Sequence, residues 1–228
     1  NNEQEDACDN DCTEPPLGSS AFHPGSSCLQ IHEARPNAPT GTYWIDPDGY
    51  GAYEAYCDMT TNGGGWTLLM KMAGDQTLWY EDALWTDQNL LNEDSLDADT
   101  SLNAKYQSYI DLPVDELQGC FPDLGNHCFY AGLNTGETAL EVFGGGAIQI
   151  GSGFDGQEHS SFSYQPNCKY FGINTPYCYR RARFGLTSNQ ENDCSSNDTA
   201  IGFGLSAYCH TNSDESYGAG HMCFSTQC

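Results

Sequence analysis

The stretch that decides the fold is Tyr56-Cys57-Asp58-Met59-Thr60-Thr61-Asn62-Gly63-Gly64-Gly65-Trp66-Thr67. It places a cysteine ahead of three consecutive glycines and a tryptophan. Glycine lets the backbone turn tightly and approach a neighbouring segment, and a large aromatic side chain supplies apolar area for a core. We therefore expect every residue of this block to serve the scaffold.

Short segments of alternating apolar and aromatic residues, separated by Gly, Pro, Asn and Asp, surround this block, which is typical of strands in small sheets with long loops. Thr42-Tyr43-Trp44-Ile45 and Tyr53-Glu54-Ala55-Tyr56 predict two strands joined by the tight turn Asp46-Pro47-Asp48-Gly49. Three further strands are expected at residues 66–72, 147–150 and 182–186. Helix signals are few: apolar spacing predicts one helix over residues 101–110, and Pro113 opens a second short one over 113–117.

Together these segments resemble the opening of the fibrinogen-like domain. The resemblance rests on Cys28-Leu29-Gln30-Ile31, on Pro39-Thr40-Gly41-Thr42-Tyr43-Trp44-Ile45-Asp46-Pro47-Asp48-Gly49 and on the block at 56–67. It implies an α+β domain with small antiparallel sheets, few helices, long loops and multiple disulfides. It also implies that a disulfide between Cys28 and Cys57 closes the first hairpin.

The charge balance excludes several partners. The chain has 228 residues, with 32 Asp and Glu against 7 Lys and Arg, for a formal charge of −25. A surface this acidic repels nucleic acid and anionic membranes, since both are bound through basic side chains. With 14 Tyr, 10 Phe and 4 Trp the chain can still bury a core, so a folded acidic domain is expected rather than a disordered segment.

Cysteine usage predicts a secreted or cell-surface protein. The chain has 12 cysteines, without a CxxC pair or a Cys/His metal spacing, so disulfides are the default interpretation. Local spacing suggests the pairs Cys120–Cys128 and Cys223–Cys228. No apolar segment is long enough to insert into a membrane, and the first residues lack the features of a signal peptide, which indicates a mature fragment. Asn197-Asp198-Thr199 matches the glycosylation pattern, a short motif to which we give little weight.

Residues 1–27 predict an acidic linker, because they are rich in Pro, Gly and Ser and have almost nothing apolar to bury. The segment that ends in Cys8 and Cys12 resembles the tail of the short cysteine-rich repeats of secreted bacterial proteins. That resemblance implies that the folded domain, residues 28–228, belongs to a larger multidomain protein.

The C-terminal half is similar to intelectins, the X-type lectins. The similarity rests on Cys178-Tyr179-Arg180-Arg181-Ala182-Arg183-Phe184-Gly185, on Asn189-Gln190-Glu191-Asn192-Asp193-Cys194 and on Ile201-Gly202-Phe203-Gly204. Intelectins carry these landmarks in the same order. The resemblance implies a disulfide between Cys178 and Cys194.

Residues 189–198 are unusually dense in oxygen-bearing side chains. Calcium takes about 6–8 oxygen ligands, and this stretch has no Lys, Arg or apolar side chain. The expected calcium ligands are Asn189, Glu191, Asp193, Asn197, Asp198 and, from a second acidic patch, Asp214. The alternative is a solvated acidic loop in a protein that is acidic throughout. A second acidic region, residues 75–99, predicts a loop-rich excursion over the sheet with no assignable ligands.

The intelectin resemblance implies how such an ion would be used. In that family the Asn and Glu of the loop, here Asn189 and Glu191, help to hold calcium, and the ion takes two hydroxyls of a vicinal diol on a terminal sugar. Asn192 stands where an intelectin has His, which leaves the diol preference open. The candidate ligand-binding residues beside the ion are Asn192, Tyr208, His210 and Tyr217. An aromatic ring is more often a core residue than a binding wall, and core packing is the alternative for Tyr208 in particular.

The functional expectation is a calcium-dependent lectin module without catalytic activity. The sequence has no nucleophile elbow, no HExxH and no phosphate-binding glycine pattern, and its six histidines share no ligand spacing. A single shallow site binds weakly, so avidity would come from an oligomer or a larger protein. Two alternatives stay open: an adhesion domain that binds protein and keeps calcium for rigidity, and a targeting module of a secreted hydrolase.

Overall fold

A computed structural model of the chain describes residues 14–75, 77–122, 127–151, 165–177, 180–195, 197–208 and 215–224. The chain divides into two compact units. The first contains Asn1–Lys71 and Leu90–Pro113, and the second contains Met72–Asn89 and Val114–Cys228. As predicted, the fold is α+β, with few short helices and small, mostly antiparallel sheets. Among the described residues, no helix has the length and apolarity needed to cross a membrane.

The predicted first hairpin is confirmed in the first unit. Its strands, β1 (Gly41–Ile45), β2 (Tyr53–Asp58) and β3 (Trp66–Thr67), form an antiparallel sheet in that order. In the turn between β1 and β2, the Asp46 carboxylate accepts a hydrogen bond from the Gly49 N–H at 2.9 Å. This local bond closes the turn that the Asp-Pro-Asp-Gly sequence predicts.

A short helix that the sequence did not reveal covers this sheet: α1 (Cys28–Ala34). It begins at Ser27, whose hydroxyl accepts the Gln30 N–H at 3.2 Å as an N-cap. Cys28 is disulfide-bonded to Cys57, as the fibrinogen-like resemblance implied, with the two Cα atoms 5.4 Å apart. The buried residues of the helix and sheet form one core: Cys28, Ile31, Tyr43, Ile45, Ala55, Cys57 and Met59.

The described part of the predicted linker, residues 14–27, is folded against β1. The Gly25 N–H donates to the Trp44 carbonyl at 3.1 Å, the Trp44 N–H donates to the Gly18 carbonyl at 3.0 Å, and Leu17 packs on the core. Glycine is needed at 18, where φ is +80° and a Cβ would lie 2.6 Å from the Ile31 side chain. Backbone hydrogen bonds therefore hold this part of the predicted linker to β1, although the segment has little apolar content. Cys8 and Cys12 lie outside the described residues.

Residues 66–72 and 101–110 also differ from expectation. The first range splits into β3 and β4 (Met70–Lys71), and the second contains β5 (Ala104–Lys105) and then α2 (Gln107–Asp111). Lys105 lies opposite Met70, and its backbone exchanges hydrogen bonds with Leu91 at 2.8 and 3.1 Å. These strand pairings compete with the helical pattern, so the helix starts only after Lys105.

One basic residue of the first unit is buried beneath an exposed carboxylate. Lys71 is 3% exposed, and its Nζ donates to Asp97 Oδ1 at 2.7 Å and to Ser95 Oγ at 2.9 Å. The hydrogen bond from Lys71 lowers the pKa of Asp97 below its usual value, and the N–H of Asp99 adds to that effect. A carboxylate of the acidic 75–99 region thus neutralises a buried cation.

Replacing Asp97 with Asn should lower the melting temperature at neutral pH, because the buried Lys71 loses its anionic partner. A carboxylate with a lowered folded-state pKa stabilises the protein above its unfolded pKa of about 3.9, and that contribution disappears as the pH falls through the folded value. The melting temperatures of D97N and the wild type should therefore begin to converge below about pH 4 and meet below the lowered pKa of Asp97. Glu93→Gln, at an exposed site, is the control; a D97N difference that persists unchanged into acid would contradict this assignment.

The second unit contains two sheets and one capped helix. A two-stranded hairpin is made by β6 (Glu116–Phe121) and β7 (His127–Gly132), and α3 (Ala139–Gly144) follows. The larger sheet contains β8 (Ile148–Gly151), β9 (Asn167–Ile173), β10 (Arg180–Asn189), β11 (Thr199–Tyr208) and β12 (Glu215–Phe224), in the order β12-β11-β10-β9-β8. All its pairs are antiparallel except the parallel pair of β11 and β12.

The short helix expected over 113–117 is absent, since the Val114 N–H donates to the Glu137 carbonyl and β6 begins at Glu116.

Four glycines lie opposite one another across this sheet: Gly172, Gly185, Gly202 and Gly218. β10 is curved between its two ends. Eight residues of straight strand would span about 26 Å, yet the adjacent Asn197 and Asp198 bond to Arg180 and Ser188, which lie at the two ends of β10. A Cβ at 185 would lie 2.1 Å from the Ile201 carbonyl oxygen, so glycine is what permits this close approach.

The hairpin packs its aromatic residues on the sheet. Phe121 stacks on Phe203 with centroids 4.4 Å apart, and Phe129 meets Phe121, Phe171 and Phe184 edge-on at 5.6 to 6.0 Å. Cys120 and Cys128, directly opposite in the hairpin, form the disulfide that local spacing suggested. A cluster of aromatic rings therefore joins the hairpin to the sheet.

Two arginines of β10 contact Tyr80 and Glu81 within the second unit. The guanidinium carbons of Arg181 and Arg183 lie 4.2 and 4.5 Å from the Tyr80 ring centroid. Arg183 Nε also donates to the Tyr80 carbonyl at 2.6 Å, and Arg181 forms an ion pair with Glu81. Burial raises the pKa of Tyr80 despite the two cations, so the phenol stays neutral. The two arginines are thus used within the protein.

Candidate functional site

The acidic segment predicted to bind calcium forms the connection between β10 and β11. It leaves the sheet at Asn189, which lies opposite Asn167 of β9, and returns at Thr199, which lies opposite Ser188. A register shift follows Thr187, so the end of β10 bulges where the loop begins. We call residues 190–195 the β10–β11 loop. The pairing of β9, β10 and β11 therefore places this loop at one end of the sheet.

Side-chain amides fix the start of this loop. Asn189 is fully buried, and its Nδ2 donates to the Asp193 carbonyl at 2.7 Å while its Oδ1 accepts the Gln190 N–H at 2.9 Å. From β9, Asn167 Nδ2 donates to the Gln190 carbonyl at 2.7 Å. Asn189 therefore has a structural role here: it pairs backbone groups that the tight turn would leave without partners.

A disulfide fixes the end of the loop, but its partner differs from the predicted one. Cys194 is bonded to Cys168 of β9, with Cα atoms 5.2 Å apart, so the Cys178–Cys194 pair implied by the intelectin resemblance is wrong. The reason is the strand register. Asn167 lies opposite Asn189, which brings Cys168 beside the loop that contains Cys194. Cys178 lies outside the described residues.

The middle of the loop presents oxygen atoms to solvent. Glu191, Asn192 and Asp193 are all exposed. Asp193 Oδ1 accepts the Ser195 N–H at 3.0 Å and its hydroxyl at 2.7 Å, and Glu191 Oε1 accepts Gln190 Nε2 at 3.0 Å. Two carboxylates and one amide are thus displayed on a short loop whose base is held by Asn189 and a disulfide.

Asn197 lies beyond the loop and is buried. Its Oδ1 accepts the Arg180 N–H at 3.1 Å, and its Nδ2 donates to the Arg180 carbonyl. The side chain thus pairs with the backbone of β10 as a neighbouring strand would. With 1% of its surface exposed, Asn197 is not accessible for glycosylation in the folded protein. Asp198, partly buried, donates its N–H to the Ser188 carbonyl at 3.0 Å.

Replacing Asn197 with Asp should destabilise the second unit by about 2–4 kcal/mol. The carboxylate keeps the shape of the amide but faces the Arg180 carbonyl with a negative charge in place of a donor. Asn192→Asp, which adds the same charge at an exposed position, should change the free energy of unfolding by less than about 0.5 kcal/mol. Urea denaturation of both variants makes the comparison; equal effects would show that Asn197 does not hold β10.

The other predicted ligands do not join a described cluster. Among the described residues, no group of three or more His, Cys, Asp or Glu side chains could hold a metal ion. His210 and Asp214 lie outside these residues, and for Tyr208 and Tyr217 only the backbone is described. Tyr217 lies opposite Ile201 near the start of β11, and Tyr208 is the last residue of β11. Cys223 lies in β12, and Cys228 is outside the described residues.

Comparisons with known proteins support the fibrinogen-like part of the sequence analysis. The family described as the fibrillar collagen C-terminal domain matches residues 10–109. Fibrinogen-like protein A of Apostichopus parvimensis is 48% identical over 33 residues, which cover 14% of this chain and 12% of that protein. Both matches are local. With its few helices, small sheets and three described disulfides, the chain is consistent with an α+β fibrinogen-like domain.

Proposed function

We propose that this chain is a non-catalytic binding module that recognises terminal sugars of surface glycans through a calcium ion at the β10–β11 loop. The observation that carries the proposal is the exposure of Glu191, Asn192 and Asp193 on a loop whose two ends are fixed. The local similarity to fibrinogen-like and collagen C-terminal domains supports a binding module rather than an enzyme. The disulfides fit a secreted or cell-surface protein.

Some of the oxygen atoms that the loop presents are suitable calcium ligands. Calcium accepts carboxylate, amide, carbonyl and water oxygens in flexible geometry, and a pre-ordered loop lowers the cost of assembling them. Asn189 and Asn197 fit poorly as ligands, because both are buried and engaged with the backbone. The ligands that we propose are therefore Glu191 and Asp193, with backbone carbonyls and water, and with Asp198 and Asp214 as further predicted donors.

Exposure of the loop is what would allow a sugar to share the ion. A calcium ion supplies a positive charge that accepts two neighbouring hydroxyls, and solvent-facing ligands leave room for them. Asn192, exposed between the two carboxylates, can donate to and accept from sugar hydroxyls. The vicinal-diol preference comes from the intelectin resemblance alone. We assign Tyr208, His210 and Tyr217 as candidates for an aromatic wall beside the sugar.

A protein-binding adhesion domain is the second candidate, favoured by one feature of the first unit. Tyr50 is 93% exposed at the tip of the loop between β1 and β2, and Phe22 is 66% exposed. Tyrosine at such a position is enriched in protein interfaces, because it buries a large area at little cost in conformational entropy. In this case the β10–β11 loop would bind calcium for rigidity only.

A glycan array probed in millimolar calcium, in EDTA and with excess glycerol tests the proposal. We expect EDTA to abolish binding, and glycerol to compete if the sugar is held through a vicinal diol. The double variant E191Q/D193N should weaken binding at least about tenfold and remove the calcium-induced rise in melting temperature, since it deletes both charges. The matched control E33Q/E54Q removes two exposed charges of the first unit and should retain both properties.

The outcomes separate the two candidates. Glycan binding that survives EDTA would contradict the calcium mechanism. Binding that EDTA abolishes but glycerol leaves intact would retain the lectin and reject diol capture. If no glycan binds while calcium still raises the melting temperature, the adhesion domain is supported instead, and loss of that rise in E191Q/D193N would still place the ion at the β10–β11 loop.

A further inference from the structure

The disulfide between Cys120 and Cys128 differs in its geometry from the other two that the structure describes. The two cysteines lie directly opposite one another in the antiparallel hairpin of β6 and β7, with Cα atoms only 4.0 Å apart. Disulfides usually join Cα atoms about 4.4–6.8 Å apart, and the separations for Cys28–Cys57 and Cys168–Cys194 are 5.4 and 5.2 Å. The hairpin ladder holds Cys120 and Cys128 closer than a disulfide itself prefers.

The sulfur atoms of this disulfide face a hydrogen-bond donor. Gln118 Nε2 lies 2.8 Å from Cys120 Sγ and 3.4 Å from Cys128 Sγ. When a disulfide is cleaved by a thiolate, negative charge develops on the departing sulfur, and an N–H directed at that sulfur stabilises the charge. For cleavage of this kind, the shorter contact favours Cys120 as the departing sulfur and Cys128 as the sulfur that is attacked.

Sulfur atoms of the other two disulfides lie near carbonyl oxygens instead of an N–H donor. Cys28 Sγ lies 3.8 Å from the Tyr56 carbonyl oxygen, Cys57 Sγ 4.0 Å from that of Ala55, and Cys168 Sγ 3.8 Å from that of Glu191. A carbonyl oxygen carries partial negative charge and disfavours a thiolate beside it. These contacts therefore oppose opening of Cys28–Cys57 and Cys168–Cys194.

Chain topology favours the same disulfide, and burial disfavours opening of Cys28–Cys57. Cys28 and Cys57 are fully buried, Cys120, Cys128 and Cys168 are partly exposed, and Cys194 is exposed, so exposure does not separate Cys120–Cys128 from Cys168–Cys194. Cys120 and Cys128 are separated by only 8 residues, so their link removes the least chain entropy from the unfolded state. The β6–β7 ladder extends on both sides of the disulfide, and Phe121 and Phe129 bind the hairpin to the sheet. The hairpin can therefore persist after the bond opens.

We propose that Cys120–Cys128 is a thiol–disulfide exchange site for an extracellular dithiol, and that Gln118 assists its opening. A thiolate of the dithiol attacks Cys128 Sγ, the S–S bond breaks, and its electron pair departs on Cys120 Sγ beside the Gln118 amide. The second thiol of the dithiol then releases Cys128. The protein gains two electrons and two protons, and the dithiol becomes a disulfide. This inference is independent of the proposed sugar binding.

Stepwise reduction of the folded protein tests the proposal. The protein is equilibrated with dithiothreitol at increasing ratios of its reduced to its oxidised form, quenched with acid, alkylated and mapped by mass spectrometry. We expect Cys120 and Cys128 to be alkylated at ratios that leave Cys28–Cys57 and Cys168–Cys194 intact, with an unchanged circular dichroism spectrum. If Cys168–Cys194 opens at the same ratio or a lower one, the proposal is wrong.

Two further measurements test the role of Gln118 and the direction of attack. Gln118→Met keeps the length of the side chain without the donor and should slow reduction of Cys120–Cys128 at least tenfold, while Gln149→Met, at an exposed glutamine of β8, should not. A brief exposure to glutathione should leave glutathione on Cys128 and a free thiol on Cys120. An unchanged rate in the Gln118→Met variant, or glutathione found mainly on Cys120, would overturn the assignment.

Discussion

Gly202→Ala is expected to disrupt the five-stranded sheet and to destabilise the second unit by roughly 4 kcal/mol or more. Gly202 has φ of +146°, a conformation that side chains rarely adopt, and a Cβ there would lie 2.2 Å from the Phe184 carbonyl oxygen. The atom in the way belongs to the backbone of the neighbouring strand, so no side-chain rotation can relieve the clash. The close approach of β10 and β11 at this position leaves no space for even one methyl group.

Gly146→Ala provides the matched control. A Cβ at position 146 would meet nothing within 4 Å, and Gly146 is not among the glycines with positive φ. We expect this variant to fold normally, with a free energy of unfolding within about 0.5 kcal/mol of the wild type. Denaturation monitored by circular dichroism compares the two variants. Similar stability of G202A and G146A would refute the close approach of the strands along the glycine row.

Phe129→Ala is the second substitution with a large expected effect, a loss of about 3–5 kcal/mol. The ring is 3% exposed and lies between the hairpin and the sheet, where it meets Phe121, Phe171, Phe184 and Phe203. Removing it leaves a cavity lined by other rings, which cannot collapse without breaking their own stacking. Both the lost burial and the cavity add to the cost.

Tyr130, the neighbour of Phe129, is the control for this loss of stability, because it lies on the opposite face of the hairpin. Tyr130 occupies the next position of β7 and is 45% exposed, so its side chain points away from the aromatic core. Tyr130→Ala should cost no more than about 1 kcal/mol. Chemical denaturation of the two variants gives the difference directly. A Tyr130→Ala loss equal to that of Phe129→Ala would mean that the hairpin does not pack through Phe129.

The first hairpin could be predicted from the sequence because its signals are local. A turn sequence, two alternating segments and a glycine run fix the strands within a few residues, and the resemblance placed Cys28 opposite Cys57. The segment around Gly18 and Gly25 could not be predicted in this way. Its contacts with β1 are backbone hydrogen bonds, which leave no trace in the hydrophobic pattern. The same applies to the early end of the predicted helix at Lys105, where strand pairing decided the conformation.

The hairpin of β6 and β7 is not among the strands predicted above, although its sequence contains a signal. In Glu116-Leu117-Gln118-Gly119-Cys120-Phe121 the buried residues Leu117 and Phe121 are an even number of positions apart, and Cys120 has a partner 8 residues later. That combination of alternation with a closely spaced cysteine pair is typical of a hairpin. The disulfide that the spacing predicts joins two residues directly opposite one another in this hairpin.

The sequence predicts which residue types the candidate site contains, but it predicts the arrangement of their side chains only in part. Counting oxygen donors gives equal weight to Asn189, Glu191 and Asn197, whereas burial separates them: the amides hold the base of the loop, and the carboxylate reaches solvent. The prediction of Cys178 as the partner of Cys194 is wrong for a similar reason. The register of β9 against β10 decides which cysteine lies near the loop, and register depends on pairing across the whole sheet.

The placement of the basic side chains determines how the protein meets its surroundings. Lys71, Lys105 and Arg180 are buried, and Arg181 and Arg183 lie on the Tyr80 ring, so five of the seven basic residues contribute little positive potential at the surface. With 32 Asp and Glu in the chain, an approaching molecule therefore meets a predominantly negative charge. If the chain binds glycans as proposed, we expect sulfated or sialylated glycans to be repelled over a Debye length of about 8 Å at physiological salt, and neutral sugars not to be. Such discrimination by charge would act before contact and weaken as the salt concentration rises.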